Sequence, residues 1–228
     1  MPRNAHYKLT DHQTAVIQAL AESPLRHTFY WTGGTALAYF HLQHRFSYDV
    51  DLFSDQSIEL SEVLPLIRDI ARRCGLKKIE QKKIHDRWEF LLTNGSETRV
   101  EFVFYNFPHL KNKRIWKGVR IDSLDDMAAN KTMALMERHE PKDIVDIYYL
   151  LTRKKYTVRR LLSLAQKKFG VVPSPYVFWG EGLRAARNLS KIRPMFFGTP
   201  KEKESEITNI SQCVEQRAAL FVKESLKG

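Results

Sequence analysis

Two aspartates with a single residue between them are the sequence feature most suggestive of chemistry. Asp49 and Asp51 flank Val50 and precede the apolar residues Leu52 and Phe53. On a β-strand, residues i and i+2 point to the same face. Two carboxylates on one face repel each other unless a cation lies between them, and Mg²⁺ takes oxygen ligands while keeping contact with substrate phosphates. The pair therefore predicts a site for Mg²⁺ (or Mn²⁺), with two solvated acids at an exposed strand end as the alternative.

A Gly-Gly pair lies about fifteen residues before the aspartates. Gly33 and Gly34 separate an aromatic, strand-like run, 28–32, from a helix-like run, 35–42. Backbone N–H groups at such a helix start form a binding site for phosphate, and Thr35 would add a hydroxyl. Most Gly-Gly turns are only turns, so the pair is weak evidence alone. Beside the aspartates it predicts a place for the phosphates of a nucleotide.

A third acid, Glu101, interrupts an otherwise apolar series from Val100 to Phe104. A charged residue at such a position lies either on the solvated face of a sheet or at a site. Three acids on adjacent strands beside a phosphate-binding turn would form a two-metal centre for phosphoryl transfer.

Charged residues also occur within apolar helical patterns further along the chain. Lys131 lies in the middle of an apolar helical face, which is costly unless its ammonium meets an anion; the alternative is a side chain that reaches solvent along the core. Asp143 and Asp146 share a face of a helix that is apolar almost all round. Asp143 lies in the first turn, where the helix dipole favours an acid. Asp146 needs a partner, and Lys131 and Arg138 are the candidates.

The elements that would position these residues change in type near residue 122. The pattern predicts an α/β domain over 1–122. It predicts a helical domain over 123–228, which completes the site and carries a basic surface. The fold class is therefore α+β, with a small mixed sheet flanked by helices and a helical C-terminal region. Hydrophobic periodicity predicts helices over 9–22 (capped by Thr10), 35–42, 61–74 (capped by Ser61), 123–138 (capped by Ser123), 141–151, 158–169, about 175–188 and from 201, and strands over 28–32, 50–53, 77–84, 88–92, 99–105 and 117–121.

Composition limits the class of protein. Hydrophobic residues make up 43% of the 228 residues, which is enough to build a core. No apolar run approaches the roughly 20 residues that a membrane helix needs, and the start of the chain lacks the apolar stretch of a signal peptide. We therefore expect a cytoplasmic protein without a membrane partner. The two cysteines and the histidines 41, 44, 85, 109 and 139 show no metal-ligand spacing and are interpreted as ordinary residues.

The excess of positive charge is concentrated in one segment. The net charge of the chain is +11, and residues 151–200 contain eleven Lys or Arg against one acid, Glu181. A local positive field of this kind attracts polyanions such as RNA or DNA. The alternative is a solvated helical surface that only aids solubility, but so one-sided a segment favours a polyanion.

Together these motifs resemble a known family. The segment "GGTALAYFHLQHRFSYDVDLF" is similar to the first motif of the nucleotidyltransferases of the AbiEii/AbiGii toxin family, which includes the MenT-type toxins and belongs to the polymerase-beta-like superfamily. A second segment, "NKTMALMERHEPKDIVDIYYLL", resembles the family's Lys-bearing helix and the basic-Asp-x-x-Asp helix that follows. The resemblance spans about 28–151. The signature residues are Arg45, Ser47, Asp49 and Asp51 in the first segment and Lys131, Arg138, Asp143 and Asp146 in the second.

Two positions depart mildly from the family pattern. Glu101 stands where many relatives of the fold have Asp, and Lys142 precedes Asp143 where Arg is common. Residues 152–228 match no motif of the family.

The resemblance implies a metal-dependent nucleotidyltransferase with a polymerase-beta-like domain. It would transfer a nucleotide from a nucleoside triphosphate to an acceptor hydroxyl, with RNA or tRNA as the acceptor bound by 151–200. It would act as the toxin of a toxin–antitoxin or phage-defence system with a cognate antitoxin. The implied roles are metal binding by Asp49, Asp51 and Glu101, nucleotide binding by Gly33, Gly34, Thr35, Arg45, Ser47, Lys131 and Asp146, and catalysis by Asp49, Asp51, Lys131, Asp143 and Glu101, with Glu101 or Asp143 activating the acceptor.

Two alternatives remain at this stage. One is a kinase-like or protein-nucleotidylating transferase on the same scaffold. The other is a non-catalytic module in which the pocket senses phosphate and the basic helices bind RNA. The presence of every acid of the motifs argues against a module without activity.

Overall fold

A computed structural model describes residues 7–95 and 97–227. The described chain divides into two compact units. The sheet unit contains residues 7–41 and 47–127, and the helical unit contains Leu42–Phe46 and residues 128–227. The boundary between 122 and 123 stays a prediction of domain organisation. In the described ranges, no helix is both long enough and apolar enough to cross a membrane.

The sheet unit begins with a helix whose start follows the predicted capping pattern. In α1, Asp11–Glu22, the hydroxyl of Thr10 accepts a hydrogen bond from the backbone of Gln13, and the Gln13 side chain accepts one from the backbone of Thr10. The remaining elements are β1 (Phe29–Thr32), α2 (Gly33–Leu37, continued by a π-helical turn, Ala38–Leu42), β2 (Val50–Ser54), α3 (Leu60–Cys74), β3 (Lys78–Ile84), β4 (Arg87–Thr93), β5 (Glu97–Phe104), β6 (Arg114–Trp116) and β7 (Val119–Ile121).

One local prediction was wrong, and one strand was missed. Ser61 does not cap α3, because Glu59 and Glu62 exchange side-chain and backbone hydrogen bonds one turn apart and so start the helix earlier. Strand β6 was not predicted, because its three residues, two of them exposed, show no apolar alternation. The other predicted helices and strands of this unit are confirmed within a few residues.

The seven strands form one mixed sheet in the order β3-β4-β5-β2-β1-β7-β6. Strand β2 lies between β5, to which it is parallel, and β1, to which it is antiparallel. Alternate residues face the core, where the ring of Phe102 packs edge-on against Phe29 at 5.0 Å and Phe90 at 5.8 Å between ring centroids. By the same alternation, Asp51 and Glu101 lie on the opposite face.

The helical unit contains most of the second half of the chain. Helix α4, Leu124–Arg138, begins in the sheet unit, and its residues from 128 onward belong to the helical unit. The predicted cap of α4 is confirmed, since the Ser123 hydroxyl accepts from the backbone N–H of Asp126 at 3.0 Å. The helices that follow are α5 (Pro141–Thr152), α6 (Val158–Phe169), α7 (Pro175–Ala186), a 3-10 segment (Leu189–Met195) and α8 (Pro200–Ser225).

Replacing Gly33 with alanine should destabilise the protein more than the same change at Gly75. Both glycines have a positive φ, +75° and +55°, so both variants are strained in the backbone. A Cβ on Gly33 would lie 1.7 Å from Oδ2 of Asp51, whereas a Cβ on Gly75 would meet no atom nearer than 3.9 Å. We expect an additional loss of about 1–3 kcal/mol for Gly33→Ala, measured by denaturant unfolding. Equal losses for the two variants would contradict this geometry.

Candidate active site

Four carboxylates lie on one face of the sheet, and we call this group the acidic face: Asp49, Asp51, Glu89 and Glu101. In the strand register, Asp51 on β2 is opposite Glu101 on β5, and Glu101 is opposite Glu89 on β4. Asp49 precedes β2 and lies two residues before Asp51. The structure therefore places all three predicted metal ligands on the same face, with Glu89 as a fourth acid.

The predicted phosphate-binding turn lies against this face. The Asp51 carboxylate approaches the Cα of Gly33 so closely that only glycine fits there. The buried hydroxyl of Thr35 donates to the backbone carbonyl of Asp49 and lies 3.0 Å from the hydroxyl of Ser47. Thr35 and Ser47 therefore fix the loop that carries the aspartates.

Two arginines also reach the acidic face. Arg99 Nη2 lies 2.5 Å from Asp49 Oδ2, and Arg99 Nε lies 3.4 Å from Glu101 Oε1. Arg87 Nη1 lies 3.4 Å from Glu101 Oε2. Neither of these arginines nor Glu89 was identified from the sequence.

The helical unit contains a buried ionic network centred on Asp146. Arg45 donates to both carboxylate oxygens, from Nε at 2.8 Å and from Nη2 at 2.9 Å. The Nε2 atom of His44 lies 2.6 Å from Oδ1, and the ammonium of Lys131 lies 2.8 Å from Oδ2. The side chains of Asp146 and His44 are fully buried, and that of Arg45 is nearly so.

Asp143 extends this network by one turn of α5. Lys131 Nζ lies 2.9 Å from its Oδ1, and Arg138 donates to both oxygens, from Nε at 2.8 Å and from Nη2 at 3.0 Å. Of the two partners considered for Asp146 from the sequence, Lys131 is found there and Arg138 pairs with Asp143 instead. Lys131 is thus shared by two carboxylates.

The sequence model of the nucleotidyl transferase AbiEii toxin family, described as a type IV toxin–antitoxin system, matches residues 15–174. The chain belongs to this family. A curated relative, an uncharacterised protein of Aquifex aeolicus (strain VF5), is 28% identical over 164 residues, which are 71% of this chain and 76% of the relative. Membership confirms that the chain is a nucleotidyltransferase, and it implies a nucleoside triphosphate substrate and an antitoxin partner.

Solved structures confirm the fold. A provisionally assigned nucleotidyltransferase of H. pylori has a TM-score of 0.57 at 16% identity, covering 92% of this chain and 94% of its own. The protein JHP933 of Helicobacter pylori has a TM-score of 0.58 at 16% identity, covering 97% of this chain and 100% of its own.

The acidic face of this AbiEii chain is short of positive charge. Burial, followed by the negative charge of Asp51, raises the pKa of Glu101 to about 7, although Arg87 and Arg99 act in the opposite direction. Oxygen donors and an excess of negative charge fit a divalent cation such as Mg²⁺. The oxygens of Asp49, Asp51 and Glu101 do not, however, form a group that lies within 4.8 Å of one another.

Over the described ranges, the ligand atoms that do lie within 4.8 Å of one another belong to His109, Asp122 and Asp126. These acids already serve the fold. Asp122 accepts from the Thr32 hydroxyl at 2.9 Å, and Asp126 accepts from two backbone N–H groups of the preceding loop. The ammonium of Lys113 lies 2.6 Å from Nε2 of His109 and supplies a cation there. We therefore interpret this group as structural.

In the ionic network of the helical unit, the neighbouring cations lower the pKa values of the buried aspartates, which is the opposite of the shift at Glu101. Burial alone would raise the pKa of Asp146, but Arg45 and Lys131 hold it well below the usual value. The same balance of burial against Lys131 and Arg138 lowers the pKa of Asp143. Burial lowers the pKa of His44 to about 4, so its imidazole is neutral at physiological pH. The sequence analysis treated His44 as ordinary, since its partner lies a hundred residues away.

Asp146→Asn should destabilise the protein strongly at neutral pH and progressively less in acid. Removing one partner of a buried ion pair costs about 3–5 kcal/mol. Because the folded pKa of Asp146 lies below 3.8, its contribution is complete above that value and is lost as the pH falls toward the folded pKa. The measurement is the free energy of unfolding of wild type and variant from pH 7 to pH 3.

The matched control is Asp69→Asn. Asp69 also pairs with two arginines, Arg72 at 2.6 Å and Arg73 at 2.7 Å, but it is partly exposed. Solvent screens such pairs, so the control should lose little stability. Equal losses of unfolding free energy in the two variants would contradict the assignment of Asp146 as a buried, ionised partner. A loss for Asp146→Asn that does not become smaller in acid would contradict it as well.

Proposed function

We propose that this protein transfers a nucleotide from a nucleoside triphosphate to a hydroxyl of RNA, with tRNA as the expected acceptor, in a reaction that requires Mg²⁺ or Mn²⁺. The observation that supports it best is the acidic face, where the Gly33 turn lies against Asp51 and Asp51 is opposite Glu101 in the strand register. We infer that Asp49, Asp51 and Glu101 hold the metal. A divalent cation held there would offset the negative charge that develops during transfer.

The reaction joins the acceptor oxygen to the α-phosphorus and breaks the bond from that phosphorus to the bridging oxygen of the β-phosphate. Pyrophosphate leaves, and the hydroxyl proton passes to a base. Of the two acids considered for this role, Glu101 is the better candidate. It lies opposite Asp51 on the acidic face, whereas Asp143 is held by Lys131 and Arg138, which keep its pKa lowered.

The nucleotide-binding residues fall into two groups. We propose that the backbone N–H groups of Gly33 and Gly34 meet the triphosphate, while Thr35 and Ser47 hold the loop before Asp49 in place. Arg45, Lys131 and Asp146 belong to the buried network of the helical unit, for which we propose a supporting role in nucleotide binding. A phosphate at Lys131 would have to exchange with the carboxylates that the ammonium now contacts.

Exposure of the basic segment supports RNA as the acceptor. Ten of its eleven cationic side chains are exposed, and only Lys168 is buried. With RNA as the acceptor, we also propose that the protein acts in the cytoplasm. The kinase-like and protein-nucleotidylating alternatives use the same scaffold, and the acceptor that becomes labelled separates them from the proposed reaction.

Asp51→Asn should reduce transfer by orders of magnitude, because catalysis of phosphoryl transfer is mostly electrostatic. Folding should survive, since the change removes one of several like charges on the acidic face. The measurement is Mg²⁺-dependent release of pyrophosphate with each triphosphate and total RNA. Asp55→Asn is the control, since Asp55 lies just beyond β2 and is exposed. Full activity of Asp51→Asn would contradict the proposal, and labelled protein instead of RNA would favour the alternative.

Charge reversal in the basic segment should weaken RNA binding. Each phosphate that the protein neutralises contributes a slope of roughly −0.7 to −0.9 to the dependence of log affinity on log salt. Lys154→Glu with Arg159→Glu should therefore lower the affinity for RNA and make its salt dependence shallower. Lys201→Glu with Arg217→Glu, two exposed positions on α8, is the control. Equal effects of the two double variants, or salt-independent binding, would show that the segment is not the RNA surface.

A further inference from the structure

Arg99 contacts three of the four carboxylates of the acidic face. Its guanidinium lies 2.5 Å from Asp49, 3.4 Å from Glu101 and 3.8 Å from Glu89. Its Nε atom is buried, yet it makes no hydrogen bond with any residue that the structure describes. Arg99 is therefore attracted by several carboxylates, although its Nε–H donor lacks a hydrogen-bond acceptor among them.

The charges explain why the guanidinium lies there. The acidic face has four carboxylates, and Arg87 and Arg99 bring two positive charges to three of them, Asp49, Glu89 and Glu101. Asp49, however, is the acid that Arg99 holds most closely, and Asp49 is also a predicted metal ligand.

The distances show the consequence for metal binding. Mg²⁺ needs its oxygen ligands at about 2.0–2.1 Å, but Asp49, Asp51 and Glu101 form no group within 4.8 Å in this structure. Oδ2 of Asp49 lies against Arg99 Nη2. Movement of the Asp49 carboxylate toward the other two acids around an ion would stretch or break this ion pair with Arg99.

We propose that Arg99 is a resident counter-ion of the acidic face, which a divalent cation must displace from Asp49 before the three predicted acids can bind that cation together. This inference rests on the metal centre of the proposed function. Arg99 then lowers the affinity for metal, because the bound ion must replace an ion pair that already exists. It also stabilises the metal-free chain against repulsion among the carboxylates.

Binding of Mn²⁺ tests the proposal. Electron paramagnetic resonance of free Mn²⁺, titrated with the full chain, gives the affinity for the ion. Arg99→Gln should bind Mn²⁺ at least about tenfold more tightly than wild type, since the competing charge is absent. Arg99→Lys keeps the charge but loses the planar fork that matches a carboxylate, so its affinity should lie between the two.

Arg87→Gln is the matched control. Arg87 and Arg99 have equally exposed side chains, and both touch Glu101, but among the described residues Arg99, unlike Arg87, also contacts Asp49. Simple loss of positive charge would raise the affinity for Mn²⁺ equally in both variants. An affinity of Arg99→Gln no higher than that of Arg87→Gln would therefore overturn the proposal.

If circular dichroism shows that Arg99→Gln does not fold, a second measurement tests the proposal. In the wild-type chain with labelled arginine, the Nε–H resonance of Arg99 should shift when Mg²⁺ is added. The same addition should leave this resonance unchanged in Asp51→Asn. A resonance that does not respond in the wild type would overturn the proposal.

The failure of the proposed function would look different. If wild type and Asp51→Asn bind Mn²⁺ equally, or neither binds it, the metal centre itself is wrong. If Mn²⁺ binding requires Asp51 but Arg99→Gln binds no more tightly than wild type, the metal centre stands and only the role of Arg99 is wrong.

Discussion

Repulsion between carboxylates that the fold holds on one sheet face is the constraint on which the site depends. The register of β4, β5 and β2 brings Glu89, Glu101 and Asp51 into one row. Strand pairing is fixed by buried apolar residues on the other face, so these acids cannot move apart without loss of the core. The negative charge must instead be offset locally, either by arginines or by a cation.

The pKa values of buried acids are shifted in opposite directions in the two units. Asp146 in the helical unit receives hydrogen bonds from Arg45 and contacts from His44 and Lys131, and its pKa is held well below the usual value. Such a satisfied group is rigid and stays ionised. Glu101 in the sheet unit is left with too little positive charge and a raised pKa. An acid that is ready to accept a cation or a proton is suited to take part in the reaction. Asp146 is suited instead to a structural role.

Local sequence patterns predicted those features that depend on residues close together in the chain. The Thr10 cap, the alternation of β5 and the helical period of α6 depend on neighbours within a few residues, and all three were found where the pattern predicted them. Lys131 was one of the two partners considered for Asp146, because a lysine and an aspartate in apolar helices each need a partner. The roles of Asp49, Asp51 and Glu101 stay predictions.

The residues that were missed depend on long-range register. Glu89 joins the acidic face only because β4 pairs with β5 at one particular register. Arg99 lies two residues before Glu101, so strand alternation could have placed it on the same face, but its contact with Asp49 spans fifty residues of chain. His44 meets Asp146 across a hundred residues. Periodicity carries no signal for such contacts, since it reports only which face a side chain occupies.

Anomalous diffraction from crystals grown with Mn²⁺ and a non-hydrolysable nucleoside triphosphate tests the central claim most directly. The account predicts a manganese peak bound by Asp49, Asp51 and Glu101, with the guanidinium of Arg99 turned away from Asp49. A peak at His109, Asp122 and Asp126 instead, or no peak on the acidic face with nucleotide bound, would contradict it.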